Sequence, residues 1–149
     1  AAQTAIAAGG AGLTIAKLRT AKQTFDLASV DPSIPRHIVV GPEQITNLLS
    51  TTEVTSSDFN TVKALVQGEI DSFLGFKFTV SNRLAKSGND RTCIAFAQDG
   101  ITLAIGKDVN ARIDERADKS YATQVYYCQS IGATRMEEAK VLGIVCQEA

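Results

Sequence analysis

All three prolines of this chain lie between residues 32 and 42, and they punctuate it more firmly than any other feature. A proline fixes φ, lacks a backbone donor and pushes the residue before it out of the helical region. Asp31-Pro32-Ser33-Ile34-Pro35 therefore ends any helix upstream, while Gly41-Pro42 suits the opening of a new one. Between the two breaks, His37-Ile38-Val39-Val40 reads as a short buried strand.

The flanking segments carry helical spacing. Thr14 offers an N-cap to Ile15, Leu18, Ala21, Phe25 and Ala28, and after Pro42 the residues Ile45, Leu48 and Leu49 form one face. Thr51 to Ser57 reads as a polar loop, and Ser57 or Asp58 can cap a third helix with Phe59, Val62, Leu65 and Val66 inward, ending near Gly68. Past Gly75 the period changes to two. Phe76, Phe78 and Val80 alternate with Lys77 and Thr79 as in a half-buried strand. Ser81 to Asp90 reads as an exposed loop, Cys93 to Ala97 as a central strand, and Asp99-Gly100 as a turn or cap. Ile101 to Ile105 is a short apolar element of either type. Val109, Ala111 and Ile113 alternate again, and Tyr121 to Ile131 is a long strand candidate. Val141 to Cys146 reads as the strand returning against it, which makes the C-terminal third a long antiparallel hairpin.

Composition bounds the function classes. A chain of 149 residues fits one domain, and at 44% hydrophobic and 21% charged residues it has the make-up of a folded protein. Fifteen basic and sixteen acidic residues leave a formal charge of −1, so no bulk positive field draws it to nucleic acid or an anionic membrane. No apolar run approaches the ~20 residues of a membrane span. Cys93, Cys128 and Cys146 are far apart and lie in strand-like segments, which predicts buried free thiols.

Chemistry is sparse. Gly9-Gly10-Ala11-Gly12 precedes a helix but follows no strand and has no P-loop lysine, so it reads as a flexible lead-in. His37 is the only histidine, with no neighbouring metal-ligand spacing. Ser130 lacks the glycine of a nucleophile elbow. Asp114, Glu115 and Asp118 are interleaved with Arg112, Arg116 and Lys119, and such mixing keeps carboxylates ionised, as on a solvated face or a subunit contact. No catalytic, metal or cofactor residue is assigned.

The order helix, proline loop, Arg36-His37-Ile38-Val39-Val40-Gly41-Pro42, helix, then Gly68-Glu69-Ile70 and Phe73-Leu74-Gly75-Phe76-Lys77-Phe78 resembles the tailed-phage major capsid proteins of the HK-ninety-seven-like coat fold. The likeness continues through Arg91 to Ile105, which matches a strand leading into a short helix, then Ile113-Asp114-Glu115-Arg116, the Tyr121 to Ile131 strand and Gly132-Ala133-Thr134-Arg135. It covers nearly the whole chain. The resemblance implies an α+β fold with a flexible lead-in over 1–12. An axial-type domain of central sheet flanked by helices spans 13–115, and a peripheral-domain hairpin spans 116–149. Family members carry an N-terminal arm, an extended loop and a long spine helix before this region, so the chain is expected to be a C-terminal fragment, monomeric or a small oligomer alone.

The implied function is structural: pentamers and hexamers of an icosahedral virion shell around double-stranded DNA, assembled in the host cytoplasm. The partners are other copies of the coat protein, with scaffold and portal proteins beside them, and neither sequence-specific nucleic acid nor membrane. Arg83, Lys86 and Asp90 fall where such coats place an axial loop. With Arg112, Asp114, Arg116, Asp118, Lys119, Arg135 and Glu137 they are the expected subunit contacts. In some such coats a glutamate promotes a Lys–Asn crosslink; the asparagine position falls near Ser120 and the glutamate near Tyr127, so no covalent crosslink is expected. Two other readings fit the residues: a small α+β tail or adaptor module that adds a strand to a partner, and an enzyme with its site on the 81–90 loop.

Overall fold

The computed structural model describes residues 4–50 and 72–148. The expected loop from Thr51 and the third helix lie outside these residues. The element order is β1 (Thr4–Ile6), α1 (Ile15–Leu27), β2 (Arg36–Val40), α2 (Pro42–Leu49), β3 (Ser72–Phe73), β4 (Phe76–Val80), β5 (Lys86–Ser87), β6 (Asp90–Ala97), β7 (Ile101–Arg116), β8 (Ala122–Arg135) and β9 (Val141–Gln147), with single 3₁₀ turns before and after β7 and before β9.

Local chemistry sets the ends of α1. The Thr14 hydroxyl accepts from the Lys17 amide at 3.4 Å and satisfies one of the donors a helix start leaves open. At the other end Ser29 sits at φ +55°. Val30 N donates to Phe25 O and Ser29 N to Asp26 O, both at 3.1 Å. This is the Schellman arrangement with a serine where glycine is favoured, and it turns the buried Val30 back onto the helix.

Seven strands form one mixed sheet in the order β1-β9-β6-β2-β4-β3, with β5 pairing beside β6. Strands β2 and β4 run parallel, as do β1 and β9, and β6 is antiparallel to both β2 and β9. The register aligns Ile38 with Phe78 and with Ala95, and Ala95 with Leu142, so these residues share one face. That face is buried with Leu18, Phe25 and Leu48 of the two helices in a single core. Each large side chain so covered contributes about 1.5–3 kcal/mol. On the opposite face His37 is half-buried and stacks on Phe96 with ring centroids 5.6 Å apart.

Several expectations change. Val80 is exposed at the end of β4, where strand β2 also ends. The small-residue lead-in, expected to be flexible, is tied down where it is described. Thr4–Ile6 adds a strand parallel to β9, and Lys17 Nζ donates to Ala11 O, Gly12 O and Val145 O at 2.6, 2.8 and 3.1 Å. Residues 81–90 make a short hairpin in place of an open loop, because Lys86–Ser87 pairs back onto Asp90 and Arg91.

The largest change concerns the long hairpin. Strand β8 pairs with β7, from Ile101↔Arg135 to Arg116↔Ala122, and not with Val141–Cys146. The expected short helix within Arg91 to Ile105 shrinks to one 3₁₀ turn at Gln98–Gly100, and Ile101 begins a sixteen-residue strand. Residue 116, the expected start of the hairpin, is its tip. Met136 N donates to Gly100 O at 3.0 Å and closes the base. A Cβ at Gly100 would lie 2.8 Å from the Lys140 Cβ, so the chain can cross here only without a side chain. Strand β9, apolar almost throughout, is buried between β1 and β6. A strand covered on both sides tolerates such a run.

Candidate assembly surface

Strands β7 and β8 form a separate two-stranded sheet. Their register contains two irregularities, between Ile105 and Lys107 and between Lys107 and Asn110, both on the β7 side. Because directly opposed residues share a face, Leu103, Ile105, Ala111 and Ile113 stand with Val125, Tyr127, Ile131 and Ala133. The other face carries Arg112, Asp114, Arg116, Gln124, Tyr126 and Ser130. The apolar face is uncovered, with Ile113 at 72% and Val125 at 69% of full exposure. A lone two-stranded ribbon is marginally stable in water; its exposed apolar strip, interrupted by Gln129 between Tyr127 and Ile131, is of the kind that contact surfaces carry.

The residues expected to meet neighbouring subunits fall into three places. Arg112, Asp114, Arg116, Asp118 and Lys119 cluster at the outer end of the ribbon, all exposed. There Arg116 Nε donates to Asp118 Oδ1 at 2.9 Å. Arg135 and Glu137 lie at the ribbon base, where Glu138 is 4.0 Å from Arg135 and Lys140 Nζ bridges Asp99 and Glu137 at 2.6 and 2.7 Å. Arg83, Lys86 and Asp90 belong to the β5–β6 hairpin, apart from the ribbon in the sheet order. Arg83 is held in a turn by its amide donating to Ser81 Oγ at 3.2 Å.

Lys86 has a role that spacing did not show. Its ammonium lies 2.5 Å from Glu148 Oε2, and Glu148 is buried. The same carboxylate accepts from Arg91 through both oxygens and from Gln44 Nε2 at 3.1 Å. Arg91 first, then Lys86 and Gln44, hold the Glu148 carboxyl down at a pKa of about 2. The backbone joins in, since Glu148 N donates to Asn89 O at 2.7 Å. This knot ties the C-terminal strand to α2 and to the β5–β6 hairpin.

Lys17 and Glu148 escaped sequence reasoning. Lys17 could have been noticed, since with Ala21 and Phe25 it repeats every four residues on the core side of α1. Glu148 had no such signal, because all its partners are distant in sequence. The thiols follow their strands only in part. Cys93 and Cys146 are buried, whereas Cys128, on the ribbon, is half-buried because no layer among the described residues covers that sheet. The register sets Cys93 opposite Ile144 and Cys146 opposite Arg91, so the two thiols are diagonal neighbours. Their mutual interaction pushes Cys93 up and Cys146 down from the ordinary thiol range. Among the described residues no three of His, Cys, Asp and Glu gather as metal ligands do.

A helix-backed mixed sheet with a long protruding ribbon defines the class. It is the HK-ninety-seven-like fold of tailed-phage coat proteins. A structure from Mycobacterium phage Che8 superimposes with a TM-score of 0.77 at 20% identity, over 96% of this chain and 53% of that one. The capsid of cyanophage Pam1 gives 0.70 at 13% identity, over 98% and 49%. The head of Helicobacter pylori bacteriophage KHP40 gives 0.70 at 12%, over 93% and 60%. The chain thus spans about half the length of the coats it resembles. No curated protein matches it in sequence. The chain belongs to the phage capsid protein family, whose family model matches residues 1–148.

Proposed function

We propose that this chain is the shell-tiling part of a major capsid protein. It assembles with other copies into the pentamers and hexamers of an icosahedral shell that encloses double-stranded DNA. The observation that carries this reading is the ribbon, whose apolar face finds no cover among the described residues. In the shell that face is buried by coat polypeptide, each large side chain adding about 1.5–3 kcal/mol, and rotational symmetry repeats the contact in every capsomer. The compact sheet up to Ala97 together with β9 forms the axial-type body, and the ribbon is the peripheral element. The polar residues at the ribbon tip and base give register and rim contacts, which tune specificity more than strength. Scaffold and portal proteins are further partners of this assembly.

The test is to introduce Ile113→Asp with Val125→Asp into the full coat chain and follow particle formation by light scattering and electron microscopy. Loss of particles with an unchanged subunit melting temperature supports the reading. Particles formed as readily as by the unaltered chain would refute the role of the ribbon face.

A further inference from the structure

The end of α1 faces the β3–β4 turn across a cavity of about 510 Å³ whose wall includes Lys22, Asp26, Arg36, Leu74 and Gly75. Arg36 is 6% exposed. Its guanidinium lies over the Phe25 ring, 5.6 Å from the centroid. Both of its hydrogen bonds leave from Nη2, to Asp26 Oδ1 at 2.8 Å and Val30 O at 3.2 Å. Nε is buried without an acceptor among the described residues, and Nη1 makes no hydrogen bond there. A guanidinium has five N–H donors, and the unpartnered Nε is one of them in a place where an unspent donor is costly. The Lys22 ammonium on the same wall has no ion pair among the described residues. Against the single carboxylate of Asp26, the two cations leave one surplus positive charge.

We infer that this cavity is a socket for a carboxylate side chain of a neighbouring copy of the coat protein. A carboxylate can accept from Arg36 Nη1 and pair with the Lys22 ammonium at once. The single surplus charge suits a monoanion, since Asp26 would repel a doubly charged phosphate. The source is another copy because the chain belongs to a family whose members build capsids. Beside the cavity Leu27 is 79% exposed and with Leu74 lines an adjoining groove, which gives the incoming segment an apolar seat. The inference rests on the shell reading above and adds a particular contact to it.

The experiment uses particles of the full coat chain assembled from a mixture of isotopically light and heavy subunits. Carbodiimide treatment joins an ammonium directly to a touching carboxylate, and mass spectrometry of mixed-label peptides identifies links between subunits. A mixed-label link from Lys22 to an Asp or Glu is expected. In parallel, Lys22→Glu is expected to leave the subunit's melting temperature unchanged while raising the concentration needed for particles about tenfold, as loss of a rim charge contact can. Lys22→Arg should assemble normally. Links from Lys22 only to Asp26 of its own subunit, or assembly indifferent to Lys22→Glu, would overturn the socket. If the unaltered full chain forms no particles at all, the shell reading itself fails and the socket falls with it.

Discussion

Replacing Phe25 with alanine tests whether α1 is held to the sheet in the way described. The Phe25 ring is fully buried, packs 6.0 Å from the Phe76 ring centroid at 49°, and supports the Arg36 guanidinium. Truncating a buried phenylalanine typically costs about 3–5 kcal/mol, from lost transfer energy and the cavity left behind. Loss of the aromatic pair, worth roughly 0.5–1.5 kcal/mol, and of the seat for a buried cation puts Phe25→Ala at the upper end. For a chain of this length each kcal/mol shifts the melting temperature by about 2–4 °C, so a drop of roughly 8–20 °C is expected. Thermal and urea unfolding followed by circular dichroism provide the measurement, with Ile113→Ala as the comparison. Ile113 lies on the uncovered ribbon face, so its truncation should change the isolated chain by less than about 0.5 kcal/mol. A Phe25→Ala loss below about 1 kcal/mol, or equal losses for the two variants, would refute the assignment of the core to α1 and the sheet.

The Glu148 knot predicts a pH dependence. Its carboxyl is depressed to about 2 from an ordinary value of 4.5, so its stabilisation is fully present above the unfolded pKa and is lost as pH falls through the folded one. The stability advantage of the unaltered chain over Glu148→Gln should therefore hold at pH 6 and shrink between about pH 5 and pH 2. An advantage independent of pH would contradict the ion-pair account. Thiol labelling should give all three cysteines in denaturant and, in the folded chain, Cys128 well before the buried Cys93 and Cys146. Rapid labelling of Cys146 would place β9 at a surface. Ser29→Gly should raise stability by up to about 1 kcal/mol, because glycine accepts the left-handed conformation without the Cβ clash. A loss would show that the serine side chain makes a contact of its own.

The elements that depend on local chemistry were legible. Thr14, the proline breaks and the four-residue spacing of Leu18, Ala21 and Phe25 act within a turn or two of where they stand, and α1, β2 and α2 lie where they predict. Pairing was harder, because the choice of partner is a long-range competition. Gly106-Lys107-Asp108 interrupts the alternation of β7, so one long strand read as two unrelated pieces and β8 was matched with the next apolar run downstream. The expected subunit contacts are charges in polar segments. The ribbon's apolar face, by contrast, is built from side chains that look like core until the sheet is seen to have no cover among the described residues.

The two irregularities in β7 bear on how this ribbon tolerates insertions and deletions. Sixteen residues of β7 run beside fourteen of β8, and the excess is taken up at the two bulges, so β7 carries slack while β8 carries none. Removing one residue at a bulge, such as Gly106, can leave every opposed pair intact. Removing one from the middle of β8 must either force a new bulge or slide all pairs beyond the cut by one, and a slide of one turns side chains to the opposite face. Length variation among related ribbons should therefore gather on the β7 side between Ile105 and Asn110, while β8 keeps a constant count from Ala122 to Arg135.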